Sequence, residues 1–198
     1  RTTSKEEFEA GIPDIRLRLL DAQRALRSTS HPVILIISGV EGAGKSDVVN
    51  RLHEWLDVRG VETSAFWNES DEESERPRYW RFWRRLPPRG SIGIFFGSWY
   101  TKPIVDRVFS KKSGAAFDRE LQRIAFLEQM LVEDGALVLK FWFHLPKDEQ
   151  SRRLKEKEKR SRKNWVFGPD AAEFSKRFDR FARFSERAIR TTDTSYAP

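Results

Sequence analysis

The sequence predicts an α/β fold, a doubly wound parallel sheet flanked by helices. Three observations carry this. Apolar, strand-like runs alternate with amphipathic helical segments from Val33 to Leu145, the pattern of crossover-connected parallel strands. The first run, Val33-Ile34-Leu35-Ile36-Ile37, is unbroken, which suits a parallel strand covered on both faces. It leads into Gly39-Val40-Glu41-Gly42-Ala43-Gly44-Lys45-Ser46, and then into helical spacing at Val48, Val49, Leu52, Trp55 and Leu56.

Strand, glycine-rich turn, Gly-Lys-Ser and helix together form the context of a phosphate-binding P-loop. Glycines let successive backbone N–H groups turn inward on a phosphate, and the following helix adds its positive N-terminal end. Gly39, Gly42, Gly44, Lys45 and Ser46 are therefore candidate phosphate ligands. Lys45 would neutralise terminal phosphate oxygens, and the Ser46 hydroxyl would reach a Mg²⁺. A merely glycine-rich turn is the plainer alternative.

Upstream, Ser4 to Glu7 has capping-box spacing and opens a short helix that Pro13 interrupts. Ile15 to Leu26 reads as a second helix. Residues 1–30 thus form a helical arm packed on a main domain at 31–198, with a partner-facing role as the alternative. After the P-loop helix, at about 44–59, Val61–Trp67 forms a second strand. Five acidic residues between Glu69 and Glu75 then give way to arginines between Arg76 and Arg89, interleaved with Tyr79, Trp80, Phe82 and Trp83. Such a mixture can bind single-stranded nucleic acid. The recurrence of Tyr79, Phe82, Trp83 and Leu86 favours instead a helix with a buried aromatic stripe. Ser91–Phe96 is a third strand, Ala115–Glu133 a long amphipathic helix, Ala136–Leu145 a fourth strand and Pro146–Lys159 a helix. From Ser151 to Lys163 eight residues are basic and two acidic, and Asn164–Pro169 breaks the helix before Asp170 caps the last one. That basic, Gly/Pro-hinged segment, about 151–172, sits where P-loop kinases carry a lid, with Arg160, Arg162 and Lys163 as its candidate cations. A solvated helix end is the alternative.

The chain has 198 residues, 38% hydrophobic and 34% charged, with a formal net charge of +7. That is enough for one core, and the basic excess suits a polyanionic partner. It has no cysteine, which excludes disulfides and thiolate metal sites. No apolar run approaches the roughly 20 residues of a membrane span, so a cytoplasmic location without membrane attachment is expected. His31, His53 and His144 lack metal-ligand spacing.

With these pieces placed, the sequence resembles the second family of polyphosphate kinases, P-loop phosphotransferases acting between inorganic polyphosphate and nucleotides. The resemblance runs from about Val33 to Pro198. It is carried by the P-loop, Gly97-Ser98-Trp99-Tyr100 followed by Asp106-Arg107, Glu128 to Gly135, Lys140-Phe141-Trp142 and Glu149-Gln150. Lys163-Asn164-Trp165, Pro169 and Thr192-Asp193-Thr194 complete it. It implies Mg²⁺ as cofactor, polyphosphate and AMP/ADP as partners, and assembly as a homo-oligomer. It also implies Lys102 and Arg107 as phosphate contacts and Glu41, beside Lys45, as a catalytic residue in place of the family's loop aspartate. The departures are specific. The aspartate that ends the family's third strand falls at Phe96 and its arginine at Gly97; the lid Asp-Pro falls at Arg160-Ser161. A phenyl ring cannot ligate Mg²⁺, which needs oxygen ligands. Within the family the pattern resembles the first half of two-domain polyphosphate:AMP phosphotransferases, whose second domain is the catalytic one. This implies a weak or silent, structural or regulatory half, truncated before its last strand. Two other readings stand beside it: a polyanion-binding module without chemistry, and an ATP-dependent nucleotide kinase.

Overall fold

A computed structural model of the chain describes residues 3–160 and 176–198, the side chains of 157–160 excepted. Its sheet has four parallel strands in the order β2-β3-β1-β4: β1 (Val33–Gly39), β2 (Val61–Ala65), β3 (Ile92–Phe96) and β4 (Leu137–Phe143). β1 lies at the centre, with Ile36 opposite Phe95 on one side and Lys140 on the other. Side chains alternate across it. Ile34 and Ile36, with Phe95 and Val138, face one core, while Ile37, Ile92 and Ile94 face a second. This period of two, apolar on both faces, is why the first strand is a continuous hydrophobic run.

The larger core is closed by α5 (Thr101–Val108), α6 (Gly114–Glu133) and α8 (Phe178–Thr192). α6 contributes Phe117, Leu121, Ile124, Leu127 and Leu131, a stripe spaced three and four residues apart. The smaller core is closed by α2 (Lys45–Trp55) through Val49, with Leu19 and Leu26 of α1 (Lys5–Arg27) against it. α7 (Lys147–Arg160) follows β4. No helix among the described residues is long and apolar enough to cross a membrane.

Two sequence expectations change here. Pro13 does not divide the N-terminal segment: α1 is one helix of 23 residues with Pro13 inside. Its start is fixed by the reciprocal Ser4/Glu7 capping box. Its end is fixed where Gln23 exchanges hydrogen bonds with the Asp57 backbone, at 2.7 and 2.8 Å. Between these anchors Pro13 deletes one backbone bond on an exposed turn, where water can satisfy the freed carbonyl. The acidic run forms α3 (Asp71–Glu75), whereas the basic-aromatic stretch after it, expected as a helix, condenses to a single turn, α4 (Trp80–Trp83). Pro77 and the Pro87-Pro88 pair bound it, and Tyr79 stands at φ 67°, outside helical space. Phe82 alone is deeply buried, whereas Trp83 is exposed. Of the expected lid, α7 carries the backbone as far as Arg160. The Arg160 side chain, Arg162, Lys163 and Asp170 lie outside the described residues.

One buried carboxylate joins four segments. Glu128 of α6 is completely inaccessible to solvent. It accepts hydrogen bonds from Trp99 Nε1 at 3.0 Å and Tyr100 Oη at 2.7 Å, and pairs with Lys140 Nζ of β4 at 2.8 Å. Lys140 also donates to the Thr192 carbonyl at the end of α8, and the Tyr100 hydroxyl lies 2.9 Å from the Thr192 hydroxyl. A carboxylate so far from water is tolerable only when paired and fully hydrogen-bonded. Glu128→Ala should therefore cost about 3–5 kcal/mol, and Glu128→Gln less, because an amide keeps an acceptor for Trp99 and Tyr100. Urea unfolding measures both, and an Ala variant within about 1 kcal/mol of the parent would contradict this. Burial, reinforced by Glu128, pushes the Tyr100 hydroxyl well above its ordinary range. Its contribution to stability is then complete below about pH 10 and declines as pH rises further, since the unfolded chain ionises first. Tyr100→Phe should flatten the alkaline fall in stability.

Candidate functional site

The site lies outside the carboxyl ends of β1 and β3, where open parallel sheets bind ligands. Gly39 closes β1 at φ 134°, and a Cβ there would fall 2.0 Å from the Phe143 carbonyl, so the backbone can turn off the strand only as glycine. Gly42 and Gly44 also have positive φ. α2 starts at Lys45 with no side chain capping it, which leaves its first N–H groups directed at the loop mouth. From α7, Gln150 Nε2 holds the Glu41 carbonyl at 3.0 Å.

Lys45 is folded onto its own loop. Its ammonium donates to the Gly39 and Val40 carbonyls at 2.8 and 3.0 Å, and lies 3.7 Å from the Glu41 carboxylate. Two cavities meet here, of about 660 Å³ and about 260 Å³. Glu41, Lys45 and Phe96 line both and form the wall between them. Gly42, Gly44 and Ser46 line the smaller, faced by Arg152 and Arg153 of α7. These two arginines hold the Glu149 carboxyl down at about 2, so it stays ionised. They reach the loop from the first residues of the expected lid segment, about 151–172, in which sequence reasoning had singled out Arg160, Arg162 and Lys163 instead.

The larger cavity gathers Lys102, Asp106, Lys111, Lys112, Arg78 and Glu120. Lys102 pairs with Glu69 at 3.0 Å. Buried Glu120 pairs with Arg78, with Arg123 at 3.2 Å and with Lys112 at 3.8 Å, while Lys112 reaches Asp106 at 3.5 Å. Sequence reasoning missed Glu120 and noted Arg78 only within the basic-aromatic stretch. Their only signal was the placement of Glu120 on the core side of α6, where a charged residue needs a partner. Arg107 is placed elsewhere: its guanidinium covers Phe184 at 4.7 Å and donates to the Lys112 carbonyl. It braces α5 against α8 and does not line either cavity.

For Mg²⁺, the loop mouth offers the Ser46 hydroxyl and the carboxylates of Glu41, already beside Lys45, and Asp47. Phe96 supplies carbon at the end of β3. Among the described residues, no three imidazole or carboxylate groups converge as a metal site. A divalent ion that bridges phosphates takes one or two protein carboxylates. Glu41 and Asp47 reach that number at the loop mouth, but the strand-end acid that the resemblance implies is absent, so an ion held here would lack a protein ligand on the β3 side. Gly97 deepens the difference. At φ 79° a Cβ would sit 2.7 Å from the Phe66 carbonyl, so no arginine can occupy this position with this backbone.

Sheet order, glycine-rich loop and helix start together define a nucleotide- or phosphate-handling fold of the P-loop kinase type. The family model for polyphosphate kinase 2 matches residues 2–198, and the chain belongs to that family. It is 44% identical over 195 residues to a polyphosphate:AMP phosphotransferase of Pseudomonas aeruginosa and 41% identical over 194 residues to one of Pseudomonas syringae pv. tomato. Each match covers 98% of this chain and 39% of the relative, so the chain spans about two-fifths of their length. The crystal structure of polyphosphate kinase 2 from Arthrobacter aurescens TC1 superposes with a TM-score of 0.92 at 26% identity. That match covers 100% of this chain and 71% of the other. Gly97→Ala should lower stability by about 1–3 kcal/mol through strain and the Phe66 clash, and Gly97→Arg by at least as much. Thermal unfolding tests this; an unchanged midpoint for Gly97→Arg would refute it.

Proposed function

We propose that this chain is a domain of a polyphosphate-dependent phosphotransferase whose parent reaction converts AMP and polyphosphate to ADP. In this reading the domain holds phosphate with little or no turnover of its own. The observation that carries it is the juxtaposition of an intact glycine-rich loop, with Lys45 and Ser46, and an aromatic at Phe96. Arg152 and Arg153 face the loop, and Lys102 and Lys112 line the larger cavity with Lys45; each now pairs with a carboxylate that a phosphate chain would have to displace or share. Lys45 would leave its loop carbonyls for phosphate oxygens, and the N-terminal amides of α2 would hold the same group. What is missing is a strand-end carboxylate to place charge and metal on the reacting phosphate, which is the larger part of catalysis in phosphoryl transfer. The domain then serves by capturing substrate and supporting a second domain of the same family, in a cytoplasmic homo-oligomer that uses Mg²⁺ at the other site.

The basic rim also favours a second reading, a polyanion-binding module without chemistry. There, binding would fall steeply with salt and ignore Lys45→Ala. The experiment is incubation of the protein with Mg²⁺, AMP and long-chain polyphosphate, with ADP measured beside Lys45→Ala and Phe96→Asp. The expected outcome is negligible ADP from the parent and salt-sensitive polyphosphate binding that Lys45→Ala weakens at least tenfold. Phe96→Asp should gain measurable turnover. Robust ADP formation by the parent, abolished in Lys45→Ala, would overturn the silent-domain reading.

A further inference from the structure

We propose that Trp67 and Phe96 form a base-stacking subsite that lets this domain hold a nucleotide, with its phosphate on the glycine-rich loop; this rests on the reading above. Phe96 is then a platform, and more than the loss of an acid. Its ring meets that of Trp67 edge-on, with centroids 6.2 Å apart at 65°. Both line the 660 Å³ cavity that also contains Lys45, and a cavity of that size suits a nucleotide. Trp67 is 72% exposed, yet its backbone is firmly placed. Phe66, just before it, is buried and donates its N–H to the Phe96 carbonyl at 2.9 Å. The Trp67 carbonyl accepts from Arg81 at 3.0 Å. Arg81 itself lies over Phe66 and Phe82 and pairs with Glu73 at 3.4 Å. A fixed backbone that carries an open indole face inside a polar-rimmed cavity is the arrangement of a ligand platform.

The other indoles that line this cavity are engaged by cations, a carboxylate or a stacked ring. Trp80 lies between Arg76 at 5.1 Å and Arg84 at 4.6 Å, Trp99 is bound to Glu128, and Trp142 stacks on Phe181. Next to Trp67, Asn68 and Glu69 line the same wall. Their amide and carboxylate can meet donors and acceptors on the edge of a base. Stacking a base on an aromatic side chain is sequence-tolerant, so this subsite would select for a nucleobase without choosing sharply among bases. Its removal weakens binding by about 5- to 100-fold.

Calorimetric titration of the chain with AMP and with ribose 5-phosphate, which carries the same phosphate without a base, tests this. AMP should bind about tenfold more tightly. Trp67→Ala, at an exposed position, should bring AMP down to the ribose 5-phosphate value and leave ribose 5-phosphate unchanged, whereas Trp67→Phe should keep most of the difference. Equal binding of the two ligands by the parent, binding of neither, or an AMP preference that survives Trp67→Ala would each overturn the subsite. Tripolyphosphate titrated into the parent and Lys45→Ala separates this from the underlying reading. Loss of tripolyphosphate binding in Lys45→Ala with no AMP preference in the parent sinks the base subsite alone. Tripolyphosphate binding indifferent to Lys45→Ala sinks the phosphate-loop reading itself.

Discussion

The burial of a single carboxylate, Glu128, sets the terms for much of this molecule. A carboxylate without access to water must be surrounded by donors, and here they come from separate parts of the chain. The turn after β3 contributes Trp99 and Tyr100, β4 contributes Lys140, and the end of α8 is drawn in through Thr192. Because only Ser98 separates Trp99 and Tyr100 from Phe96-Gly97, the same bonds that neutralise Glu128 fix the path of the chain across the mouth of the site. Position in the cavity is thus decided largely by a network lying behind it. The cost of desolvating the pair is what makes it a constraint: alternative packings that leave Glu128 or Lys140 without its partner are excluded.

Much of the architecture was legible from residues alone, for physical reasons that can be named. Unbroken apolar runs can be solvated nowhere in a parallel sheet, so Val33–Ile37 and Ile92–Phe96 had to be covered strands. The spacing of Phe117, Leu121, Ile124, Leu127 and Leu131 on α6 similarly allows one buried face. Local signals failed where distant contacts decide. Proline at 13 argued for a break, but the helix is held at both ends by the Ser4/Glu7 exchange and by Gln23 with Asp57. Helical spacing at Tyr79, Phe82, Trp83 and Leu86 argued for a helix with a buried aromatic stripe, but flanking prolines and the left-handed Tyr79 leave only one turn.

The site divides in the same way. Gly39 to Ser46 could be read directly, because backbone conformation at a glycine-rich loop is written in the residues themselves. The roles of Gln150, which holds the Glu41 carbonyl, and of Glu120, which organises three cations, are set by elements that meet only after folding. Arg107 illustrates the converse. A motif match offered it as a phosphate contact, whereas the fold gives its guanidinium the face of Phe184. The Glu128, Lys140 and Thr192 motif segments, widely separated in sequence, turn out to be parts of one buried network, so their shared presence reflects a packing requirement as much as a chemical one.

Gly97 limits which substitutions the chain can accept as well as setting its shape. A left-handed residue with the Phe66 carbonyl 2.7 Å from any added Cβ is a position where side chains can be lost freely and regained only with difficulty. A glycine arriving there lets two neighbouring turns settle closer, and after that an arginine requires both to move together. Such a position works as a ratchet: a side chain is easily removed from it and hard to restore.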